Sequence, residues 1–361
     1  MATYKLKDFA KDISVAIKDA QSSPLKRFVG LEHYDSGEPV ITRFTDTSLI
    51  TSSVKEFHEN DILIARRNVY LRRAGIAFFS GLTSGDSIIL RIYDDCEEKT
   101  GIPKEDAIKI IPFILNSNNF WNYANKHADG MNSKRISKEM LYDYEFDLPS
   151  LAEQKILADK LWAAYRLKES YKKLLAATDE MVKSQFIEMF GNAPKIKLED
   201  YISTQSGGTP NTKKQEYYEG GDIPWLSSGE VNQGYIESTE KFITQKGLEN
   251  SSAKWVPKDC VVIAMYGATA GKVGYIRIPL TTNQAVCSLL PCSEFNSIFL
   301  YYAVSQKSDW MISQCRGAAQ PNISQGIIRS MELPLPPMEE QMKFVTIAEQ
   351  ADKSKYYNQV A

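Results

Sequence analysis

The sequence is poor in the residues that mark several common classes of protein. Its 361 residues include only five cysteines and three histidines, and no two cysteines form a C-x-x-C pair. An odd number of scattered cysteines argues against a disulfide framework and against a zinc ribbon. His33, His58 and His127 lack the spacing of a metal-binding pair. We therefore expect reduced, mostly packed thiols and no metal centre.

Long apolar runs and an excess of one charge are also missing. No window has the roughly 18 apolar residues of a membrane span, and charged residues interrupt the apolar run that a signal peptide needs. Lys and Arg number 43 against 45 Asp and Glu, a formal net charge of −2. No global positive field therefore draws the chain to nucleic acid. We predict a cytoplasmic protein with no membrane partner, which would bind nucleic acid only through local patches and with partners.

Motifs of catalysis are absent as well. The sequence has no N/D-P-P-Y/F motif to hold a target adenine, no glycine-rich loop of methyltransferase type and no acidic cluster resembling a nuclease metal site. Residues 267–274 (GATAGKVG) are spaced too closely for a G-x-x-x-x-G-K-[ST] phosphate loop, and Val273 stands where that loop needs a hydroxyl. We predict a non-catalytic chain without a cofactor of its own. An independent enzyme that binds a nucleotide through this loop is one alternative.

The composition and length indicate a folded protein of two domains. Hydrophobic residues make up 43% of the chain and charged residues 24%, which is typical of globular proteins. The length exceeds the usual size of one domain. Each of two domains of ordinary size is large enough to bury its own core.

The chain contains an internal repeat. Residues 130–154 match residues 317–341 without a gap, and each counterpart lies 187 positions further on, as Gly317 does from Gly130. The two stretches end in the phrases LPSLAEQ and LPPMEEQ. In both units, short β-rich runs separated by turn residues precede a helix near 106–127 or 296–315.

A long helix is predicted after the first of these phrases. Ser150 and Glu153 have the spacing of a capping box, and no proline follows until Pro194. Apolar residues at heptad-like spacing keep one seam apolar. About 40 residues make a helix of roughly 60 Å, and a helix of that length with an apolar seam needs a partner helix.

The second unit supplies a shorter helix after Pro337. Under the same offset, Ala361 corresponds to Leu174 in the first helix. We therefore expect residues 174–190 of the first helix to lack a partner within the chain, to be covered by another subunit or to fray.

Several phrases of the sequence resemble the specificity subunit of type I restriction-modification systems. The resemblance rests on the two leucine–proline phrases and on KSQFIEMFG at 183–191, SGGTP at 206–210, IPWL at 223–226 and GATAGKVG at 267–274. It covers nearly the whole chain and is strongest over 183–341. The shortened second helix departs from the family pattern.

The resemblance implies an α+β fold with two repeated target-recognition domains, each a small twisted β-sheet or barrel plus helices. Long helices forming an antiparallel coiled coil would join them. The implied division is a first target-recognition domain at 1–148, a spacer helix at 149–192, a second target-recognition domain at 193–335 and a shortened second helix at 336–361.

The resemblance also implies a function. Each globular domain would read one half of a bipartite, asymmetric site in double-stranded DNA, while the helices set the half-site spacing. The helices would also dock adenine methyltransferase subunits and, through them, the restriction and translocase subunits. S-adenosylmethionine, ATP and magnesium would then belong to those partner subunits. The alternative is a helical adaptor that does not bind DNA.

Candidate DNA-binding residues lie in polar loops of both units. Arginines grip phosphates or bond to guanine edges, amide side chains suit adenine edges, and glycine-dense turns let backbone N–H groups approach phosphates. Each group also has a purely structural alternative. The arginines of residues 66–73 would form a salt-bridged hairpin edge, residues 267–274 a plain hairpin, and the polar residues near 134 and 320 would cap turns. The candidates are Arg66, Arg67, Arg72, Arg73, Lys134, Arg135, Gly267, Thr269, Gly271, Lys272, Arg316, Gln320 and Asn322.

Overall fold

The computed structural model describes residues 2–13, 15–130, 133–231, 234–315 and 321–360. The chain forms two compact units, Met1–Glu169 (unit 1) and Ser170–Ala361 (unit 2). The four-part division at residues 148, 192 and 335 stays a prediction. Among the described helices, none has the length and apolar content needed to cross a bilayer.

Unit 1 contains two five-stranded sheets and a two-stranded ribbon. Its strands are β1 (Ala2–Lys5), β2 (Ala10–Asp12), β3 (Val15–Ile17), β4 (Arg27–Val29), β5 (Val40–Ile41), β6 (Thr45–Asp46), β7 (Val54–Phe57), β8 (Ile62–Ala65), β9 (Ala74–Ala77), β10 (Gly81–Ser84), β11 (Ser87–Ile92) and β12 (Glu145–Leu148). The sheets have the orders β2-β11-β8-β9-β5 and β3-β7-β10-β4-β6, and β1 pairs with β12. The apolar run 62–65 forms the central strand β8, and all four of its side chains are buried, as a strand covered on both faces requires.

Most helices of unit 1 follow its large sheets, whereas the first helix precedes them and the last continues into unit 2. The helices are α1 (Leu6–Phe9), α2 (Cys96–Thr100), α3 (Lys104–Ile114), α4 (Asn118–His127), α5 (Lys138–Tyr142) and α6 (Leu151–Phe190). The single helix predicted near 106–127 is therefore two helices. Ser117 caps the amino terminus of α4, since its Oγ accepts a hydrogen bond from the Phe120 N–H. This cap begins a new helix within the predicted one.

The long helix predicted after Pro149 is confirmed as α6. Its capping box is present: the Ser150 N–H donates to Glu153 Oε2 at 3.0 Å, and the Ser150 hydroxyl donates to the same oxygen at 2.7 Å. These bonds satisfy donors that have no partner within the helix. They begin the helix at the residue that the sequence indicated.

Unit 2 has the same kinds of element. Its strands are β13 (Lys195–Lys197), β14 (Thr204–Ser206), β15 (Ile223–Leu226), β16 (Gly234–Ile236), β17 (Lys241–Ile243), β18 (Trp255–Val256), β19 (Val261–Ala264), β20 (Val273–Ile276), β21 (Leu280–Thr282), β22 (Val286–Leu289) and β23 (Glu332–Pro334). Its helices are α7 (Gln245–Glu249), α8 (Ser297–Ser305), α9 (Ser308–Gln314), α10 (Gln325–Arg329) and α11 (Met338–Val360). The helix predicted near 296–315 is again split in two, as α8 and α9.

The topology of unit 2 repeats that of unit 1. Its sheets have the orders β14-β22-β19-β20-β16 and β17-β15-β21-β18, and β13 pairs with β23. The parallel pairs also correspond, since β5–β9 and β4–β10 match β16–β20 and β15–β21. Of the described strands, only β3 has no counterpart. The predicted α+β class with two repeated domains and a long helix is confirmed.

Val182, Phe186 and Phe190 at the end of α6 are buried in unit 2. The expectation that residues 174–190 lack a partner within the chain is therefore wrong for residues 182–190, whereas Leu174 and Met181 are exposed. The rings of Phe186 and Phe190 lie 5.1 Å and 6.0 Å from the ring of Phe344, at the start of α11. Both also contact Phe299 of α8. The last turns of α6 meet the first turns of α11, as in an antiparallel pair, so the length of α11 does not decide whether they are covered.

This packing predicts a large effect for one substitution. Phe186→Ala removes a ring that contacts three other aromatic rings in a closely packed core, and we expect the free energy of unfolding of unit 2 to fall by about 3–5 kcal/mol. Urea unfolding followed by circular dichroism measures it. Ile187→Ala is the matched control, because Ile187 is 59% exposed and should cost no more than about 0.5 kcal/mol. Equal losses in the two variants would contradict this account of the core.

Candidate nucleic-acid interface

In unit 1, two groups of candidate residues that are distant in sequence lie side by side. Residues 66–73 follow β8, and residues 129, 130 and 133–136 precede α5; we call them the first loop pair. Arg67 and Arg135 form an antiparallel bridge, and the Ile136 N–H donates to the Arg66 carbonyl at 3.0 Å. The structure thus brings the four arginines of the first loop into one region with Lys134 and Arg135.

Unit 2 has the equivalent arrangement. Residues 265–272 follow β19 and residues 321–323 precede α10; we call them the second loop pair. Tyr266 and Asn322 form the bridge, and the Ile323 N–H donates to the Met265 carbonyl at 2.9 Å. Asn322 therefore lies beside the loop that contains Gly267, Thr269, Gly271 and Lys272. Two further candidates, Arg316 and Gln320, lie outside the described residues.

The backbone frames of the two loops share several equivalent hydrogen bonds. The Ala65 N–H donates to the Arg73 carbonyl and the Ala264 N–H to the Lys272 carbonyl, both at 2.9 Å. Residues of the second loop lie 199 positions after those of the first, as Ala264 does from Ala65. Under this correspondence Tyr266 matches Arg67. The two loops thus share a backbone arrangement but differ in their side chains.

Both loops need a left-handed backbone at two positions. Gly267 and Gly271 have φ of 80° and 81°, and their counterparts Asn68 and Arg72 have φ of 53° and 51°. Glycine adopts this region without strain, and asparagine does so more readily than most residues. A Cβ at Gly271 would lie 3.2 Å from a side-chain atom of Ile312 in α9, whereas one at Gly267 would meet nothing within 4 Å. Gly271 therefore serves close packing, and Gly267 borders open space.

The four arginines of the first loop have different surroundings. Arg73 donates to the carbonyls of Leu31 and Arg67, both at 3.0 Å. Arg67 pairs with Asp86 at 2.7 Å. These two guanidinium groups are held by the protein itself.

The other two arginines are held less firmly. Arg72 donates to the exposed Asn118 side chain at 2.8 Å. Within the part of the chain that the structure describes, no acceptor lies within hydrogen-bonding distance and geometry of Arg66 Nε. Arg66 and Arg135 line a cleft of about 470 Å³ at the first loop pair. Asp129 also lines the cleft, so its wall carries two guanidinium groups and one carboxylate and is net cationic, and the cleft is large enough to admit a phosphate group.

Two groups next to the first loop pair have shifted pKa values because they are buried. Burial raises the pKa of Tyr34 to about 12, although its hydroxyl bonds to Ser87 Oγ at 2.9 Å. Burial also lowers the pKa of Lys55. The negative charge of Asp12 acts against this shift, and the positive charge of Arg66 adds to it. Tyr34 is therefore neutral at pH 7, and burial disfavours the charged form of Lys55 near Arg66.

The second loop pair presents different chemistry. Thr269 is engaged, since its hydroxyl donates to the Ser228 carbonyl at 2.7 Å, while Lys272 and Asn322 are exposed. Tyr266 is 41% exposed, and Tyr70 of the first loop is 62% exposed. Sequence reasoning did not single out these two tyrosines. An aromatic residue inside an arginine-rich loop, or directly before a glycine-rich one, was the signal available.

The cysteines behave as packed thiols. All five are free, and burial raises the pKa of Cys260 and of Cys287 to about 12, which keeps both protonated at neutral pH. Over the described ranges, no group of three or more His, Cys, Asp or Glu residues is arranged to hold a metal ion.

The fold defines a protein built from two copies of one α+β domain, each with a polar loop pair. Residues 193–359 match the sequence model of a family described as the type I restriction modification DNA specificity domain. Residues 193–359 are thus similar to this family over a little less than half of the chain, and unit 1 has the same topology.

Individual relatives agree with this assignment. The chain is 31% identical over 159 residues to the type I restriction enzyme MjaIX specificity subunit of Methanocaldococcus jannaschii, which is 42% of this chain and 36% of that one. It is 26% identical over 151 residues to the EcoR124I/EcoR124II specificity subunit of Escherichia coli, 40% of this chain and 37% of that one. The match thus spans little more than a third of the length of either relative.

A solved structure shares the fold over the whole chain. The S subunit of a type I restriction-modification system from M. genitalium superimposes with a TM-score of 0.56, covering 99% of this chain and 91% of that one. The identity is 14%, so this likeness concerns the fold alone.

The contacts of the arginines predict which of them is structural. Arg73→Ala leaves the Leu31 and Arg67 carbonyls without their donor, and we expect a loss of about 1–3 kcal/mol in the free energy of unfolding of unit 1. Arg72→Ala removes one exposed hydrogen bond and should cost no more than about 0.5 kcal/mol. Chemical denaturation of both variants checks this. A larger loss for Arg72→Ala would contradict the assignment.

Proposed function

We propose that the chain is the non-catalytic DNA sequence-recognition subunit of a type I restriction-modification complex. The observation that carries this proposal is the pair of equivalent loop frames with unlike side chains. A reader of a bipartite, asymmetric site needs one scaffold in two copies, each with its own contacts to base edges and phosphates. The family of residues 193–359 supports the same conclusion.

The two loop pairs suit different contacts with DNA. In unit 1, Arg66 and Arg135 offer guanidinium groups, which bind phosphates and the edge of guanine. In unit 2, Asn322 offers the amide that pairs with an adenine edge, and Tyr266 offers an aromatic face. Lys272 adds a point charge for a phosphate, whereas the Gly267 N–H already donates to the Pro321 carbonyl at 3.0 Å. Each unit would thus read its own half-site.

Partner subunits complete this function. The net charge of −2 leaves the chain without a general attraction to DNA, so much of the grip on phosphates, which dominates affinity, must come from elsewhere. We assign it to adenine methyltransferase subunits, with the restriction and translocase subunits bound through them. S-adenosylmethionine, ATP and magnesium belong to these partners, in the cytoplasm. Helix α6 begins in unit 1 and ends in unit 2, and we assign it the role of setting the half-site spacing.

The central experiment is methylome sequencing of cells that carry this gene and the methyltransferase gene of the same system. Deletion of this gene alone should abolish N6-adenine methylation at one split, asymmetric motif. Restoring the gene on a plasmid should bring the methylation back. An unchanged methylome would instead favour the helical adaptor that does not bind DNA.

A second prediction concerns the cationic cleft. In the complex with the methyltransferase, Arg66→Ala combined with Arg135→Ala should weaken DNA binding about tenfold or more and lower the slope of log affinity against log salt by about one per lost phosphate contact. Fluorescence anisotropy over a series of salt concentrations measures both quantities. Lys104→Ala, which removes an exposed cation paired with Asp94, is the control and should change neither. Unaltered affinity and slope in the arginine variant would remove the cleft from the interface.

A further inference from the structure

The first loop of unit 1 carries two adjacent apolar side chains at the surface, Tyr70 and Leu71, which we call the apolar tip. Tyr70 is 62% exposed and Leu71 is 37% exposed. Both lie in the short 3-10 turn Val69–Leu71. Apolar groups gain free energy when they are removed from water, so the apolar tip favours a ligand with an apolar surface of its own.

The apolar tip is held in place by its backbone and by the core beneath it. The Leu71 N–H donates to the Asn68 carbonyl at 2.9 Å. The Arg72 N–H donates to the Val69 carbonyl at 3.0 Å. Val69 is 1% exposed and belongs to the apolar cluster that contains Trp121 of α4. Side chains on a rigid element lose little freedom on binding, which suits a specific contact.

The equivalent positions in unit 2 do not form such a tip. At the offset of 199 positions, Tyr70 and Leu71 correspond to Thr269 and Ala270. The Thr269 hydroxyl donates to the Ser228 carbonyl at 2.7 Å, and Ala270 is 8% exposed. The apolar tip is therefore a property of unit 1 and not of the backbone frame that the two units share.

The charges of the first loop pair favour a polyanion as the ligand. The six basic residues of its two loops are Arg66, Arg67, Arg72, Arg73, Lys134 and Arg135. The carboxylate in these loops is that of Asp129, and the neighbouring Asp86 pairs with Arg67 at 2.7 Å. Basic groups are thus in excess around the apolar tip. DNA matches this combination, because its phosphates are anionic and its bases offer apolar surface.

We propose that Tyr70 and Leu71 make an apolar contact with a base in the half-site that unit 1 reads. The inference rests on the proposed function and adds two specificity-determining residues to it. A base offers apolar surface in two forms, the C5 methyl group of thymine and the face of a base at a partly unstacked step. Neither contact neutralises a phosphate, so the apolar tip adds sequence discrimination without releasing counterions.

The first test measures DNA binding by the complex with the methyltransferase. One duplex contains the methylated motif, and a second contains the same bases in scrambled order. Tyr70→Ala combined with Leu71→Ala should weaken binding to the motif duplex about tenfold. Binding to the scrambled duplex and the slope of log affinity against log salt should not change, because no charge is removed. Fluorescence anisotropy over a series of salt concentrations measures all three quantities.

Two control variants accompany this test. Val15→Ala shortens an apolar side chain that is 52% exposed on β3 of the same unit, and it should bind both duplexes like the parent chain. Tyr70→Phe keeps the ring and removes only the hydroxyl group, so it should also bind like the parent chain. A loss of affinity in Tyr70→Phe equal to that of the double variant would make the contact a hydrogen bond and overturn the proposal.

Modified duplexes identify which form of apolar surface is contacted. Deoxyuridine in place of each thymine of the motif in turn removes only the methyl group. A loss of affinity that occurs with the parent chain and not with the double variant would identify a thymine methyl group. A rise in 2-aminopurine fluorescence that only the parent chain causes would identify an unstacked base. Absence of both signals would overturn the proposal.

Three further outcomes would also overturn it. They are equal binding of the motif duplex by the double variant and the parent chain, an equal loss on both duplexes, and loss of the methyltransferase from the double variant in size-exclusion chromatography. The last would make the apolar tip a protein contact. Circular dichroism melting curves check that the variants fold, as exposed positions predict. Failure of the proposed function is distinguishable, since the parent complex itself would then show no methylated motif and no preference between the duplexes.

Discussion

An equivalent backbone hydrogen bond joins the two loops of the candidate interface in each unit. The Ile136 N–H donates to the Arg66 carbonyl and the Ile323 N–H to the Met265 carbonyl. Both isoleucines are buried, at 1% and 0% exposure, so their amides must find a partner within the protein. This bond fixes the loop after the central strand against the loop before the last short helix. The apolar anchor lies below, and the polar residues of both loops are left at the surface above it.

This arrangement separates folding from recognition. The backbone frame, the left-handed residues and the buried isoleucine support the loops in both units, while arginines occupy one surface and Tyr266 and Asn322 occupy the other. A scaffold of this kind accepts different side chains at the surface without a change in its core, because exposed loop positions contribute little to stability. The same reasoning explains why Arg73, whose side chain donates to two carbonyls, belongs to the frame and not to the variable surface.

The long helix α6 follows a similar logic in the core. Its last turns close an apolar surface in unit 2, where Phe186 and Phe190 pack against Phe344 of α11. This closure stabilises the unit because apolar area gains free energy only when it is removed from water.

The sequence by itself determined the local and repeated features of this protein. The capping box at Ser150, the apolar run of β8 and the gapless repeat could be predicted because each depends on residues close in the chain or on a comparison of two stretches. The break between α3 and α4 at Ser117 was missed, although residues 116–119 (NSNN) form a run of residues that favour turns and helix caps. Only the tertiary structure decided that the loop pairs meet, that Arg73 is structural and that Phe186 is covered by α11. These outcomes depend on contacts between residues far apart in the chain, which a linear pattern of residue types does not specify.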